Sequence, residues 1–364
     1  MNKVAHVYDE IFEAHDTGDH IENIDRLTST KEYLINNKII GTDTHPEFTT
    51  LAPRQATREE IRWIHSESFL QHVQSSVARA KKKDTQIEID PDTVVSAQSY
   101  DASLYSVGGN LLAIEKILAG ELNSAFVLCR PPGHHSNRDT PRGFCVFNCV
   151  AVAAEYLFRK TPIRKVAILD FDAHCGDGTQ EIFWRGSENG EMVFVSLHQD
   201  GRSLYPGKGF VRDIGAGKQK GRIINVPLPS GAGDKSAQLV MKEIVLPIFD
   251  QFQPEFILIS AGFDGHRCDP LTSLKYSNHG FGQFIEMLHP ILEKHAQNRC
   301  VATLEGGYDL ESLGKSITNV FYALAKKPLP YTKETVGESE YVTEATNSSI
   351  IPKLKQILSP YWSL

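Results

Sequence analysis

The sequence predicts an α/β protein, a three-layer α/β/α arrangement around a mostly parallel central sheet. Two observations carry this expectation. Short apolar runs (SAFVLC, VAILD, EMVFVSL, FILISA and CVATL) alternate with stretches of helical period, the order that builds a parallel sheet covered on both faces. Several of those runs then stop abruptly on polar groups, at RPPGHH (130–135), DFDAHCGDG (170–178), GFDG (262–265) and EGGY (305–308). Open α/β sheets gather such groups in the crevice beyond the carboxyl ends of their strands. Neither a repeat nor a linker interrupts the pattern. The 364 residues therefore read as one domain, 1–364, with a C-terminal helix at about 349–362 docked on the body.

The elements follow in order. The first forty residues give a short strand, the acid- and histidine-rich loop HDTGDHIENIDRL, and a helix from about Arg26 to Asn37. His15, His20 and Arg26 fall at that loop and helix start, where polar side chains act as caps or solvated groups as readily as site residues. Thr57–Ala80 reads as one or two helices, with AKKKD (80–84) as a solvated end. From Asp92 to Gly120 apolar residues recur at helical spacing, among them Leu104, Val107, Leu111 and Leu118, and Gly120 supplies the stop. SAFVLC is a strand. The loop behind it, RPPGHHSNRDTPRGFCVFN, holds adjacent His134 and His135, which packing does not explain. Ala151–Phe158 is helical and leads into the central strand. EMVFVSLHQD and GRIINVPLP are strands on either side of the loop GRSLYPGKG, and Lys235–Phe252 is an amphipathic helix. PEFILISAGFDGHRCDPL and CVATLEGGYDLESL each repeat the theme of a strand ending on polar residues, and the tail NSSIIPKLKQILSPYWSL is amphipathic.

Composition narrows the function classes. A net charge of −7 argues against broad nucleic-acid binding and is compatible with cationic substrates such as lysine-rich tails or polyamines. No apolar run approaches the ~20 residues of a membrane span, and the start, MNKVAHVYDEIFEAHD, lacks a signal-peptide core, so a cytoplasmic location is expected. Six scattered cysteines without a CxxC pair read as reduced thiols.

The chemistry starts from VAILDFDAHCGDG (166–178). Asp170, Asp172 and His174 alternate, so continued extended backbone would project them to one side. A helix cap and a salt bridge would be the plainer reading. Yet two carboxylates at the end of a buried strand repel and lose hydration, and a cation relieves both costs. Gly176 and Gly178 then turn the chain while Asp177 stays near the crevice. Joined by Asp264, Asp172 and His174 make a set of one nitrogen and two oxygen donors with an open position, the arrangement of a catalytic zinc. His134 and His135 would stand beside it as proton-transfer groups, with Asp170 and Asp177 as the available orienting carboxylates. Tyr308, carried on a Gly-Gly pair, could donate to a developing oxyanion. The reaction this predicts is amide hydrolysis by metal-activated water.

In order and spacing RPPGHH, GFCVFN, DFDAHCGDGTQ, SLH, SAGFDGHRCDPL and LEGGY resemble the zinc-dependent histone deacetylase family, which includes acetylpolyamine amidohydrolases and shares the arginase fold. The resemblance runs from HDTGDHIENIDRL to the C-terminal helix expected to end in Tyr361 and Trp362. It implies one zinc on Asp172, His174 and Asp264, with Tyr308 as transition-state donor. It also implies His135 as general base paired with Asp177, and His134 as its electrostatic partner paired with Asp170. Phe144 matches one wall of an acyl-lysine tunnel, Tyr205 the facing wall, and Gly143 the backbone that accepts the substrate amide. A structural potassium is implied at Asp170, Asp172, His174, Ser196 and Leu197. The implied substrate is an acetylated lysine in proteins or peptides, or an acetylated polyamine.

Departures from that pattern matter as much. Cys175 stands where a second histidine is common, and Tyr205 brings a hydroxyl to a wall that is usually phenylalanine. His266 and Arg267 replace smaller residues and predict a more cationic rim. Glu305 gives the form seen in the class II branch, and Leu271 is the lysine-deacetylase choice where polyamine-specific relatives place an acid. Two rivals follow. A dinuclear arginase-like hydrolase would need further carboxylates, and the positions that would carry them hold Gly176 and His266. A catalytically silent acyl-lysine binding protein would have no use for Tyr308 and both histidines.

Overall fold

Continuous runs such as AILD and FILISA become strands buried on both faces, as a parallel sheet requires. The computed structural model describes residues 2–334 and 337–364. Its strands are β1 (Val4–Val7), β2 (Phe48–Leu51), β3 (Ile87–Asp90), β4 (Thr93–Val95), β5 (Ser124–Val127), β6 (Lys165–Asp170), β7 (Glu191–Gln199), β8 (Ile223–Leu228), β9 (Phe256–Ala261) and β10 (Cys300–Leu304). The helices are α1 (Asp25–Asn36), α2 (Arg58–Arg62), α3 (Glu67–Lys83), α4 (Ser99–Leu118), α5 (Cys149–Lys160) and α6 (Asp177–Ile182), then α7 (Asp234–Val240), α8 (Leu246–Phe252), α9 (Asn278–Lys294), α10 (Leu310–Leu324), α11 (Glu340–Ala345) and α12 (Ile351–Leu358).

Eight strands form one parallel sheet in the order β2-β1-β5-β10-β9-β6-β7-β8. Helices α4 and α5 pack together as one layer, and α1, α9 and α10 as the other. Each fully buried Ile, Leu or Val between them contributes roughly 1.5–3 kcal/mol. The order places β5, β10, β9 and β6 side by side. The loops that leave their carboxyl ends, with His134 and His135, Tyr308, Asp264 and the 170–177 segment, therefore emerge next to one another.

Several boundaries differ from the sequence reading. The stretch expected to be helical from Asp92 starts only at Ser99, because β-branched Thr93, Val94 and Val95 pair antiparallel with β3 across the turn at Pro91 and Asp92. Thr57–Ala80 is two helices, opened by a Thr57–Glu60 capping box and by Ser66. The single helix expected over Lys235–Phe252 is α7 and α8 joined by a π turn at Met241–Val245, and a second π turn, Thr346–Ile350, joins α11 to α12. Both π turns run into a proline, Pro247 and Pro352, whose missing N–H frees a carbonyl one turn back. In α12, Leu354 and Leu358 are buried, and beyond it the Trp362 indole N–H donates to the Gly221 carbonyl at 2.6 Å. Among the described residues no helix is long and apolar enough to cross a membrane.

Candidate active site

Strand β6 stops at Asp170, and the loop behind it curls instead of staying extended. Asp170 Oδ1 accepts the Asp172 N–H at 3.1 Å, and Asp172 Oδ1 accepts the His174 N–H at 2.9 Å. Two successive side-chain turns, rather than the pleat, thus aim these residues. Asp264 arrives from the end of β9, where its Oδ1 accepts the Ala173 N–H at 2.8 Å. His174 Nδ1 then lies 2.7 Å from Asp264 Oδ2 and 3.1 Å from Asp172 Oδ1. The ligand-type atoms of Asp172, His174 and Asp264 all fall within 4.8 Å of one another. The backbone must pass unusually close for this. A Cβ on Gly262 would sit 2.0 Å from Asp172 Oδ2, and one on Gly306, whose N–H binds that oxygen at 2.8 Å, would sit 2.7 Å away.

The charge balance of this set fits a divalent cation. Burial and Asp172 push Asp264 above the usual carboxylate range. Although burial opposes it, Asp264 and Asp172 push His174 up to about 10. Left with protein groups alone the cluster is driven to hold a proton, and its oxygen and nitrogen donors are of the type that suits a divalent metal ion. Cys175 is not part of the set, because its buried Sγ faces Asn225 Oδ1 at 3.6 Å and burial raises its thiol well above the ordinary value. All six cysteines are free thiols.

The two histidines follow β5, and each is paired through Nδ1. His134 meets Asp170 Oδ2 at 3.1 Å and His135 meets Asp177 Oδ1 at 2.8 Å, with ring centres 4.0 Å apart. A carboxylate at Nδ1 favours the tautomer that leaves Nε2 free. Burial and the neighbouring His134 hold His135 down to about 4, so it is neutral at pH 7. Against burial, Asp172 and Asp170 raise His134 well above its ordinary value.

Both histidines, Asp172, His174 and Tyr308 line one cavity of about 280 Å³. Phe144, Tyr205, Gly143 and Leu271 also line it. Phe144 stands edge-on to Tyr308 at 5.9 Å between ring centres, and Tyr205 edge-on to His135 at 5.2 Å. Gly143 has a φ of +57° and no room for a Cβ, which would lie 2.3 Å from the His135 ring. Asp269 links two wall elements, accepting the Leu271 N–H at 2.9 Å and the Tyr308 N–H at 2.8 Å. Ser196 pairs in register with Asp170 on β7, with Leu197 next to it, and the Ser196 hydroxyl meets His198 Nδ1 at 2.8 Å.

Other expectations change. Arg26 is neither solvated nor a cap. It is buried beneath Tyr308, donating to Gly307 O at 2.7 Å and Glu305 O at 2.6 Å with its guanidinium carbon 4.9 Å from the phenol ring centre. Glu22 holds it at 2.9 Å and also holds Arg130 at 2.9 Å. His15 is buried on Ser99, and His20 stands edge-on to Phe144 at 4.5 Å. The cationic rim expected from His266 and Arg267 is cancelled, because Glu334 accepts from both, at 3.1 and 2.6 Å. With the Cys268 N–H donating to its Nδ1 at 3.2 Å, both ring nitrogens of His266 are engaged outside the donor set. At the other position a dinuclear site would need, Gly176, even a Cβ would fall 2.1 Å from Asp170 Oδ2.

Sequence reasoning missed Asp92, Arg142 and Lys208. Asp92 lines the cavity and accepts the Gly143 N–H at 2.9 Å, while Arg142 and Lys208 surround Asp177. A turn acid and two loop cations carry no periodic signal. Arg142, one residue before the GFCVFN motif, offered the best clue.

Comparison with known proteins agrees with this geometry. Residues 20–324 match the family model described as "Histone deacetylase domain". A "Probable deacetylase" of Archaeoglobus fulgidus is 34% identical over 351 residues, covering 94% of each chain. A "Histone deacetylase-like amidohydrolase" of Pseudomonas aeruginosa is 38% identical over 217 residues, 60% of this chain and 56% of that one. The crystal structure of the HDA15 HD domain superposes with a TM-score of 0.86 at 28% identity, covering 99% of this chain and 95% of that one. Matched over most of its length in sequence and in three dimensions, the chain belongs to the histone deacetylase family and is a deacetylase-type hydrolase.

Proposed function

We propose that the chain removes acetyl or other acyl groups from lysine side chains by zinc-dependent hydrolysis. The observation that carries this reading is a clustered two-carboxylate, one-imidazole donor set, two of whose members, Asp172 and His174, line the same cavity as two Asp-paired histidines and a phenol. Asp172, His174 and Asp264 would hold zinc, which supplies a Lewis acid to polarise the scissile carbonyl and to lower the pKa of water beside it. His135, neutral and oriented by Asp177, takes a proton from the attacking water at Nε2 and passes it to the lysine nitrogen as the C–N bond breaks, leaving the carboxylate and the free amine. His134, paired with Asp170, carries positive charge beside it and supports the anion that develops. Tyr308 donates its hydroxyl hydrogen to the carbonyl oxygen as that oxygen gains charge, while Arg26 below holds the Glu305–Gly307 backbone in place. Phe144 and Tyr205 clasp the aliphatic stem, Leu271 closes the wall, and the Gly143 carbonyl accepts the substrate amide, its own N–H being taken by Asp92.

Potassium, the second cation expected, has in its support the adjacency of Asp170 and Ser196. An acetylpolyamine is the second reading, favoured by one feature of the cavity: Asp92 has Asp90 beside it, and burial and Asp92 push Asp90 up to about 6. Such a pair would welcome a free ammonium. Three measurements test the function together. We expect about one zinc per purified chain, turnover of an acetyl-lysine reporter, and a kcat fall of about 10²–10³-fold in Tyr308→Phe with zinc retained. Unchanged kcat would remove the phenol from the mechanism. Competition between acetyl-lysine peptide and acetylpolyamine assigns the substrate.

A further inference from the structure

Two cations that the reaction above does not use surround the carboxylate that orients His135. Arg142 comes from the loop after β5, and its Nη2 lies 2.9 Å from Asp177 Oδ2 and 2.9 Å from Glu181 Oε2. Both contacts are ion pairs out of line for a hydrogen bond. The Arg142 Nε–H donates to the His135 carbonyl at 2.9 Å, so this one side chain grips the imidazole's backbone and its partner together. Lys208 reaches the same two acids from the opposite wall, with Nζ 3.2 Å from Asp177 Oδ2 and 2.7 Å from Glu181 Oε1. Glu181 is one helical turn from Asp177 on α6, and its Oε2 also accepts from Asn137 at 2.8 Å. The Asp177 side chain is fully buried, while that of Lys208 is 42% exposed.

We infer that Arg142 and Lys208 are positioning residues, an electrostatic bolt that fixes Asp177 against His135 and couples the tunnel wall carrying Tyr205 to the orientation of the proton acceptor. The reason is geometric. Asp177 has two oxygens, and His135 needs only one of them. With the second free, the carboxylate could swing about its Cβ–Cγ bond and release the Nδ1–H. Arg142 and Lys208 both engage that second oxygen and leave Oδ1 in the line of the imidazole. Burial alone would push Asp177 up, but the His135 hydrogen bond and the charges of Arg142 and Lys208 outweigh it, so the acid stays ionised. Glu181 balances the extra positive charge, which keeps the pair of cations from repelling the imidazole's developing charge. Lys208 lies three residues from Tyr205 on the loop after β7, so a substrate that orders this wall also tightens the bolt.

The role assigned to His135 rests on the hydrolase reading, so the test has an arm that does not need turnover. We expect Lys208→Met to lower kcat about tenfold with KM within about twofold and zinc content unchanged, the size usual for an outer-shell partner. Lys208→Arg, which keeps a cation at that reach, should recover to within about threefold of wild type. In an Asp177→Asn background Lys208→Met should add less than about a twofold loss, because the two act through one group. By proton NMR, the downfield Nδ1–H resonance of His135, assigned by its disappearance in His135→Phe, should broaden or move upfield in Lys208→Met and persist in Lys208→Arg. Equal losses in both backgrounds, a change in KM alone, or an Nδ1–H resonance indifferent to Lys208 would each overturn the proposal. A wild-type protein without amidase activity would sink the hydrolase reading instead, and the resonance would still decide whether the bolt exists.

Discussion

Two clusters of buried charge meet at Tyr308, and they are built on opposite principles. Below the phenol, Glu22 lies between Arg26 and Arg130, and every charge has a protein partner at 2.9 Å or less. Burial would raise Glu22, but Arg130 and Arg26 outweigh it and hold its carboxyl down to about 2. Above the phenol, Asp172, Asp264 and His174 crowd together with acid in excess, so Asp264 is pushed up and His174 is driven to hold a proton. The lower cluster is complete as protein and serves as a foundation. The upper one is left with acid in excess, the imbalance that distinguishes a candidate metal site from a structural ion network among equally buried residues.

Removing one acid from each cluster and reading both function and stability tells the two designs apart. In Asp264→Asn we expect zinc retention to be lost and reporter turnover to fall by about 10³-fold, since metal polarisation supplies several kcal/mol. Yet metal-stripped Asp264→Asn should resist urea as well as metal-stripped wild type or better, because a repelling carboxylate has gone while the amide oxygen can still accept the Ala173 N–H. In Glu22→Gln the ranking reverses. Two buried guanidinium groups lose their counter-charge, so the protein should lose roughly 3–5 kcal/mol in denaturant unfolding whether or not zinc is present. If metal-free Asp264→Asn were destabilised as much as Glu22→Gln, the upper cluster would be a structural network too.

The same contrast governs what could be read from the sequence. Asp170, Asp172, His174 and Asp264 follow apolar runs within a few residues, so local chemistry exposes them, and a buried strand that ends on acids points to a cation. His134 and His135 are legible for the same reason. The lower cluster was not, because it exists only through contacts across the chain, as between Arg26 and Gly307, 281 residues apart. The cationic rim failed likewise. Glu334 neutralises His266 and Arg267 from 68 and 67 residues away, and no periodicity links them. Among the elements, β3 and β4 were hidden because their β-branched residues run straight into the helical spacing of α4. The π turns before Pro247 and Pro352 change hydrogen-bond register without changing the apolar pattern.

The smallest expected effect concerns acid sensitivity, and it separates the Glu22 carboxyl of the lower cluster from a buried histidine elsewhere in the core. Glu22 is lowered from 4.5 to about 2, so its contribution is lost mainly as pH falls below about 4.5 and adds little to the pH dependence between 7 and 5. His6 does contribute. It is buried on β1 between Tyr8 and Phe321, and neither ring nitrogen has a partner among the described residues. Burial, with Lys31, lowers it to about 3 from 6.5. A folded pKa below the unfolded one means that the unfolded chain binds the proton first. The stability from neutral His6 is therefore complete above about pH 6.5 and is lost as pH falls towards 3, at about 1.4 kcal/mol per unit. His6→Phe keeps an aromatic ring in the same stack and removes both unpaired nitrogens. We expect it to gain about 1 kcal/mol over wild type at pH 7, and the gap in urea unfolding to widen by about 2 kcal/mol at pH 5. Because the comparison is a difference between two proteins sharing every other titrating group, a gap that stays constant with pH would show that His6 takes up its proton without unfolding.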